Sequence, residues 1–467
     1  MKKLLVVAIL ILLLMPLNQS REEGFNAKTI PTKEDVFGFI LALQKRVATI
    51  KFLKPSDLMD EIVAETDNID YFLNEALFLE DAMKEFYEAE GISYTNESIS
   101  SFMAELNSSF SSEEIRAISL LLLSYAHAIN ATSRQEQIDE VLHICQNVRK
   151  AAYILSNCSL NRSISDAYDV IMLGSSMGEN YGGEYKFIID FGGNDKYEKR
   201  NNSFLLDLKG NDSYGAFYSN EGVSLAFDID GNDEYVNAPY AEGGICFLVD
   251  GKGDDKYKGT AASSWNGGIS FLLDLNGNDV YDGESLTQSY SNNAFSFLAD
   301  IKGDDIYQAK NRSQACSEDG GISLLLDLYG NDAFFADDYS QAYANGFPHT
   351  SISLFINLAG DDYYEAGSFS QGYGEKGGMA FLFDFLGEDG YCASQFSQAS
   401  SAWLGMGVLL DSDGKNKFLS SLFSQGSQRW GGYSFFLQDF DSEDIYEMLQ
   451  LPERIGIDLW NLLGNFF

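Results

Sequence analysis

From about Thr32 to Ser156 apolar residues recur every three or four positions, as at Val36, Phe39, Ile40 and Leu43 and again at Ile115, Ile118, Leu121, Leu122 and Tyr125. That period is one face of an amphipathic helix. Hydroxyl and carboxylate residues three apart, Thr32 with Asp35, Ser111 with Glu114 and Ser133 with Glu136, predict three helix starts through capping boxes. Five or six helices in a small bundle are expected over residues 30–160. Past Tyr185 the period changes. Three apolar residues lead into an aspartate, a glycine turn and an aromatic, and the pattern then starts again.

Three of these units read Phe187-Ile-Ile-Asp190-Phe-Gly-Gly-Asn-Asp195-Lys-Tyr197, Phe204-Leu-Leu-Asp207-Leu-Lys-Gly-Asn-Asp212-Ser-Tyr214 and Leu225-Ala-Phe-Asp228-Ile-Asp-Gly-Asn-Asp233-Glu-Tyr235. The leading residue falls at 190, 207, 228, 250, 274, 300, 327, 357 (an asparagine), 384, 411 and 439, so the step grows from 17 to a plateau near 27. Counting that residue as position 0, glycine is usual at +3, asparagine or an acid at +4, aspartate at +5 and an aromatic at +7. In the later units a hydroxyl–glutamine pair holds a second fixed offset: Thr287-Gln288, Ser313-Gln314, Ser340-Gln341, Ser370-Gln371, Ser397-Gln398 and Ser424-Gln425. Fixed offsets on both sides of a variable segment are what stacked coils require, because each coil presents the same residue above its predecessor. The predicted fold is α+β and multidomain: an N-terminal α-helical bundle followed by a parallel β-solenoid (β-helix) of about eleven coils over residues 185–447, with a cap or tail at 448–467.

Strand alternation puts −3, −1 and +1 on one face, Phe271, Leu273 and Leu275 for example. These are expected to face the core. The aromatic at +7 is expected to stack coil upon coil, a sugar-binding strip being the alternative. Position −2 then shares the outward face with position 0, yet it is apolar in every unit, from Ile188 and Leu205 to Leu409 and Leu437. The stripe it forms should be covered by the chain's own variable segments, by the helical head or by a second copy.

Composition adds charge to this picture. The chain has 467 residues, 70 acidic against 31 basic, a net charge of −39, and a field of that sign repels nucleic acid and anionic lipid. Neither is an expected partner. Five cysteines without CxxC spacing and three histidines indicate neither a disulfide scaffold, a zinc knuckle nor a histidine-based enzyme. Lys2 and Lys3 before the apolar run Leu4 to Leu17 read as a secretory signal over residues 1–20, an uncleaved N-terminal anchor being the alternative. No other membrane span is expected, and the protein is placed outside the cytoplasm, secreted or at the cell surface.

Stacking turns the aspartates into ladders at about 4.8 Å, where neighbouring charges repel by about 1 kcal/mol in water and about 3–4 at an effective dielectric of 20. Lysines are too few to offset this: residues 181–450 hold 42 acids against 15 basic residues. Calcium takes six to eight oxygen ligands in flexible geometry, and the candidate ligands are Asp190, Asp195, Asp207, Asp212, Asp228, Asp233, Asp250, Asp255, Asp274, Asp279, Asp300, Asp305, Asp327, Asp332, Asp362, Asp384 and Asp389. An ion-free stack of Asx turns accounts for the same residues. Stretches such as Gly277-Asn278-Asp279-Val280-Tyr281 resemble part of the repeat-in-toxin nonapeptide G-G-x-G-x-D-x-U-x, with an aspartate in place of the first glycine and one motif per long unit. The resemblance implies an exported, calcium-stabilised solenoid and no enzymatic activity; the whole chain also looks like exported Asp/Gly-rich repeat proteins.

Every acidic cluster recurs in nearly the same form, so no coil stands out as a catalytic site. The expected function is a non-enzymatic secreted or cell-surface repeat protein, a rigid structural or adhesion module with a surface glycan, a protein or its own copies as partner. A polysaccharide-binding or polysaccharide-degrading β-helix is the alternative.

Overall fold

A computed structural model describes residues 79–412, 414–437 and the backbone of 445–448. The expected signal peptide, the Thr32–Asp35 helix start and the C-terminal tail lie outside the described residues. Those residues hold four helices: α1 (Leu79–Ala89), α2 (Asn96–Ser109), α3 (Ser112–Asn130) and α4 (Arg134–Leu155). Ser111 and Glu114 close the expected capping box at the start of α3. Ser133 caps α4 by accepting from the Glu136 N–H, while the Glu136 carboxylate turns to the N–H and hydroxyl of Thr132. None of the described helices is long and apolar enough to cross a membrane.

After α4 the chain winds into a parallel β-solenoid with three sheets of 13, 12 and 9 strands. The first sheet is built from the apolar runs before position 0, and the second from the segments around the +7 aromatic. Register is kept without a slip: Asp250 pairs with Asp274, Asp274 with Asp300, and Tyr257 with Tyr281. The stack starts one step before the first repeat read from the sequence. Ile171–Leu173 and Asn180–Tyr181 pair in parallel with the strands of the Asp190 unit, and this extra unit has Gly174 at 0, Glu179 at +5 and Tyr181 at +7.

The coil count differs from the eleven expected. The third sheet has nine strands, from Arg200–Asn201 to Ser401–Ala402, and these bound about eight complete turns among the described residues. A leading strand marks every unit, but a turn closes only where the chain also returns along the third side. The unit that begins at Met406–Asp411 meets the third sheet only through the single bridge of Gln428 to Ser401, and the third side of the unit that begins at Tyr433–Leu437 lies outside the described residues.

The two faces of the leading strand are the reverse of the expectation. Position −2 points into the solenoid: Leu272, Leu298, Leu325, Leu382 and Leu409 are fully buried in one cluster with Tyr257, Tyr281, Tyr307, Tyr364 and Tyr391. Positions −3, −1 and +1 point outward, and over the first coils they form the seat of the helices. Phe187, Ile189, Phe191, Phe204, Leu206, Leu225, Phe227 and Phe247 share one core with Phe86, Phe110, Tyr125 and Val148. Both faces are apolar, the outer one buried under the helices in the first coils and partly open further along at Phe271, Leu273 and Leu275, and alternation alone does not say which is inside. Polar contacts fix the docking: Tyr125 Oη donates to the Val223 carbonyl at 3.0 Å, and Arg134 to the carbonyls of Gly243 and Gly267 at 2.5 and 2.9 Å.

Candidate metal centre

The site is the interior corner where the first sheet turns into the second. The +7 rings stack inside the solenoid, with centroids 4.4–5.0 Å apart from Tyr181 to Phe418. They are fully buried, so they form no surface sugar strip. Except for Tyr391, which donates to Asp384 Oδ2 of its own coil at 3.0 Å, each tyrosine hydroxyl also donates to Oδ2 of the position-0 aspartate in the next coil. This bond measures 2.5–2.8 Å for Tyr197, Tyr235, Tyr257, Tyr281, Tyr307 and Tyr364. From Asp190 to Asp300 the second oxygen of that aspartate accepts from the backbone N–H at +2, for example Asn276 N–H to Asp274 Oδ1 at 3.1 Å, whereas Oδ1 of Asp327 and of Asp384 has no partner. That is the expected Asx turn.

The glycine at +3 is required for clearance. A Cβ on Gly277 would lie 2.0 Å from the carbonyl oxygen of Gly253 and 2.4 Å from Asp279 Oδ1. The close approach of consecutive turns lets the +5 side chain reach across: the N–H of Asp255 donates to Asp279 Oδ1, and that of Asp279 to Asp305 Oδ1, both at 2.6 Å. The same bond runs from Glu179, which donates to Asp195, through to Asp389, which donates to Asn416.

All seventeen candidate ligands fall in this one interior column, and all are buried. Asp190, Asp207, Asp228, Asp250, Asp274, Asp300, Asp327 and Asp384 occupy position 0; Asp195, Asp212, Asp233, Asp255, Asp279, Asp305, Asp332, Asp362 and Asp389 occupy +5. In every one of the nine at +5, Oδ2 has no hydrogen-bond partner. Groups of three carboxylates, two from one coil and one from the next, place an oxygen from each within 4.8 Å of the others: Asp190–Asp195–Asp207, Asp207–Asp212–Asp228, Asp228–Asp233–Asp250, Asp250–Asp255–Asp274 and Asp274–Asp279–Asp300 among them. Burial, reinforced by the neighbouring carboxylates, raises their affinity for protons. Asp279 is pushed up to about 10, by burial first and Asp274 second, and Asp212 to about 9 in the same way, with Asp207 as the neighbour.

Three features of the column take their meaning only from the fold, although Asn357 and Asn416 stand out in the sequence as the exceptions at 0 and +5. The tyrosines are donors to the aspartates as well as fillers, a role that stacking gives them although the offset to the next leading residue runs from 10 at Tyr197 to 20 at Tyr307. Asn416 stands at +5 of the last described turn, where its Oδ1 accepts from Asp389 N–H and its Nδ2 donates to Asp411 Oδ1 at 2.7 Å. Phe334 and Asn357 stand one coil apart at the two positions that a tyrosine hydroxyl and an aspartate join one coil earlier, between Tyr307 and Asp327, so hydroxyl and carboxylate are missing together. The Ser–Gln ladder is the hydrogen-bonded turn stack its spacing predicts. Gln288 Nε2 donates to the carbonyls of Tyr281 and Gln308 at 2.9 and 2.8 Å, and Ser340 N–H to Ser370 Oγ at 3.2 Å. Before these pairs a further ring ladder, Tyr339, Phe369, Phe396 and Phe423, stacks at 5.0–5.1 Å with every rung at positive φ.

Compared with protein-family models, curated proteins and solved structures, the chain gave no match.

Proposed function

We propose that the protein is a non-enzymatic, rigid repeat scaffold that acts outside the cytoplasm as a structural or adhesion module, and that its interior aspartate column binds calcium. The observation that carries the reading is the unpartnered Oδ2 of each +5 aspartate. Asparagine fits the same position with both side-chain atoms bonded, as Asn416 does. An unpartnered buried oxygen costs about 1–3 kcal/mol, yet nine described turns keep the carboxylate. A counter-charge makes that choice favourable. The donor set is oxygen only, which suits a hard cation, and two aspartates per coil balance one divalent ion per coil. Bound calcium would supply charge neutralisation and cross-link consecutive coils. In the metal-free chain, protons occupy the same carboxylates.

Melting the full chain at pH 8 in millimolar calcium and in excess chelator tests this. A ligand bound only by the folded state adds about 2.7 kcal/mol per site at a hundredfold excess over Kd, so chelation should lower the melting temperature. Superimposable curves would refute calcium binding.

A glycan-binding reading is favoured by one surface feature. Trp403 and Trp430 are 45% and 60% exposed, with their rings stacked 4.7 Å apart. Lys376 lies over Trp403 and Arg429 beside Trp430. Retention on immobilised polysaccharides that is lost in W403A/W430A would support it, and equal passage of both proteins would exclude it.

A further inference from the structure

The cation reading treats the column as uniform, but its own residues divide it. A complete triad needs aspartate at 0 and +5 of one coil and at 0 of the next. Along the register this holds at seven steps, six before Asn357 and one, Asp384–Asp389–Asp411, after it. Both triads that position 357 enters lack one carboxylate. Asn357 is fully buried and neither of its side-chain polar atoms is bonded. Its neighbours across the sheet are Asp327 and Asp384. The coil below offers it Phe334 where the other described tyrosine rungs offer a hydroxyl. Phenylalanine for tyrosine and asparagine for aspartate preserve shape while removing one donor and one charge. The strands accordingly stay in register across the step, and the ring stack continues from Tyr307 through Phe334 to Tyr364 at 4.5 and 5.0 Å.

We propose that the Phe334–Asn357 step is a neutral break that splits the calcium column into a block of six sites toward the helices and a single site beyond it, with no ion at the two steps that Asn357 shares. The acidic clusters alone would not support this. The independent sign is the unpartnered Oδ2 of the buried +5 aspartates, which the Nδ2 of Asn416 shows to lie on the side facing position 0. The proposal rests on calcium binding by the column and adds where it stops.

The test is equilibrium dialysis of the full chain against calcium, with excess magnesium to mask surface carboxylates. The natural chain should hold up to seven ions, and F334Y/N357D, which completes both interrupted triads, two more. A second variant, Y281F/D300N, copies the natural break into the first block and should hold two fewer, while circular dichroism reports that each variant is folded. Calcium bound by the natural chain with no change in either folded variant would overturn the break and leave the cation reading standing. Should F334Y/N357D fail to fold, Y281F/D300N decides alone. No calcium bound by any of the chains would overturn both.

Discussion

Two ladders of the same chemistry run side by side at each turn, one inside the solenoid and one outside. Outside, at +4, the side-chain oxygen of one coil accepts a backbone N–H from the next: Asn278 N–H to Asp254 Oδ1 at 3.0 Å, and Asp304 N–H to Asn278 Oδ1 at 2.9 Å. Inside, at +5, the sense is reversed, with the N–H of Asp279 donating forward to Asp305. The exterior ladder uses Asn194, Asn211, Asn232, Asp254, Asn278, Asp304, Asn331, Asp361 and Glu388 without preference, whereas the interior one is aspartate in all its described rungs but the two terminal ones, Glu179 and Asn416. Both need one acceptor. The outer residue is open to solvent at its remaining atom, so its charge is immaterial, while the inner residue is buried and is an acid all the same. Position in the coil, and not the hydrogen bond, decides which residues are interchangeable.

The strongest way to break the contrast is to remove the counter-ion and vary pH. The +5 carboxyls are raised above their ordinary value, from about 6 at Asp332 to about 10 at Asp389, by burial first. The folded state therefore binds more protons than the unfolded chain, and stability falls as pH rises. In chelator the contribution of these carboxyls to stability should be greatest below about pH 3.9, where unfolded and folded carboxyls are both largely protonated, and be lost as pH climbs through the folded values toward about pH 10. A tenfold difference in proton affinity between the two states counts about 1.4 kcal/mol. Calcium should flatten that slope. A chelated chain that gains stability from pH 6 to pH 9 would contradict the interior assignment.

A single substitution sharpens the same point. Asp279→Asn supplies the donor that Asn416 supplies naturally, so it should stabilise the chelated protein by about 1–2 kcal/mol and destabilise the calcium-loaded one. Chemical denaturation in both conditions reads the change of sign. Next in size, Tyr281→Phe removes the 2.8 Å bond to Asp300 and should cost about 1–2 kcal/mol. Adding Asp300→Asn should recover part of that cost in chelator, giving a coupling energy of at least about 0.5 kcal/mol in a double-mutant cycle. The smallest effect belongs outside: Asn278→Ala loses exposed bonds that water replaces, and should change stability by no more than about 0.5 kcal/mol.

The aspartates, the tyrosines and the Ser–Gln pairs were legible in the sequence because stacking imposes a fixed offset, and each lies where that offset puts it. The direction of the leading strand was not. Leu272 and its neighbours Phe271 and Leu273 are all apolar, so alternation yields two candidate inner faces, and only the Tyr281 stack and the helices across the sheet distinguish them. The unit at Gly174 escaped because glycine replaces its leading aspartate. A Cβ there would lie 2.1 Å from both Asp190 Oδ2 and Tyr181 Oη, so no aspartate fits. The ladder of Tyr339, Phe369, Phe396 and Phe423 was hidden for another reason, since positive φ is ordinarily a place for glycine or asparagine.

Nine turns, from Gly210 to Gly414, bring the site of an absent Cβ to within 2.3 Å of the carbonyl oxygen of the glycine one coil below. Backbone thus touches backbone at every level, and no residue can be inserted between position 0 and +5 without lifting one coil off another. Close approaches recur on the third side, as at Gly378 and Gly405, where a Cβ would lie 2.3 Å from the carbonyl oxygens of Ala344 and Gly374. Between the +7 aromatic and the next leading strand, however, the length varies, so that the step runs from 17 to 30 residues. Heritable change in such a chain is therefore channelled: duplication of a whole unit adds a coil that its neighbours accept unaltered, and drift in length collects on one edge of the rod. The unchanging five-residue interval and the wandering step between units are the record of that asymmetry.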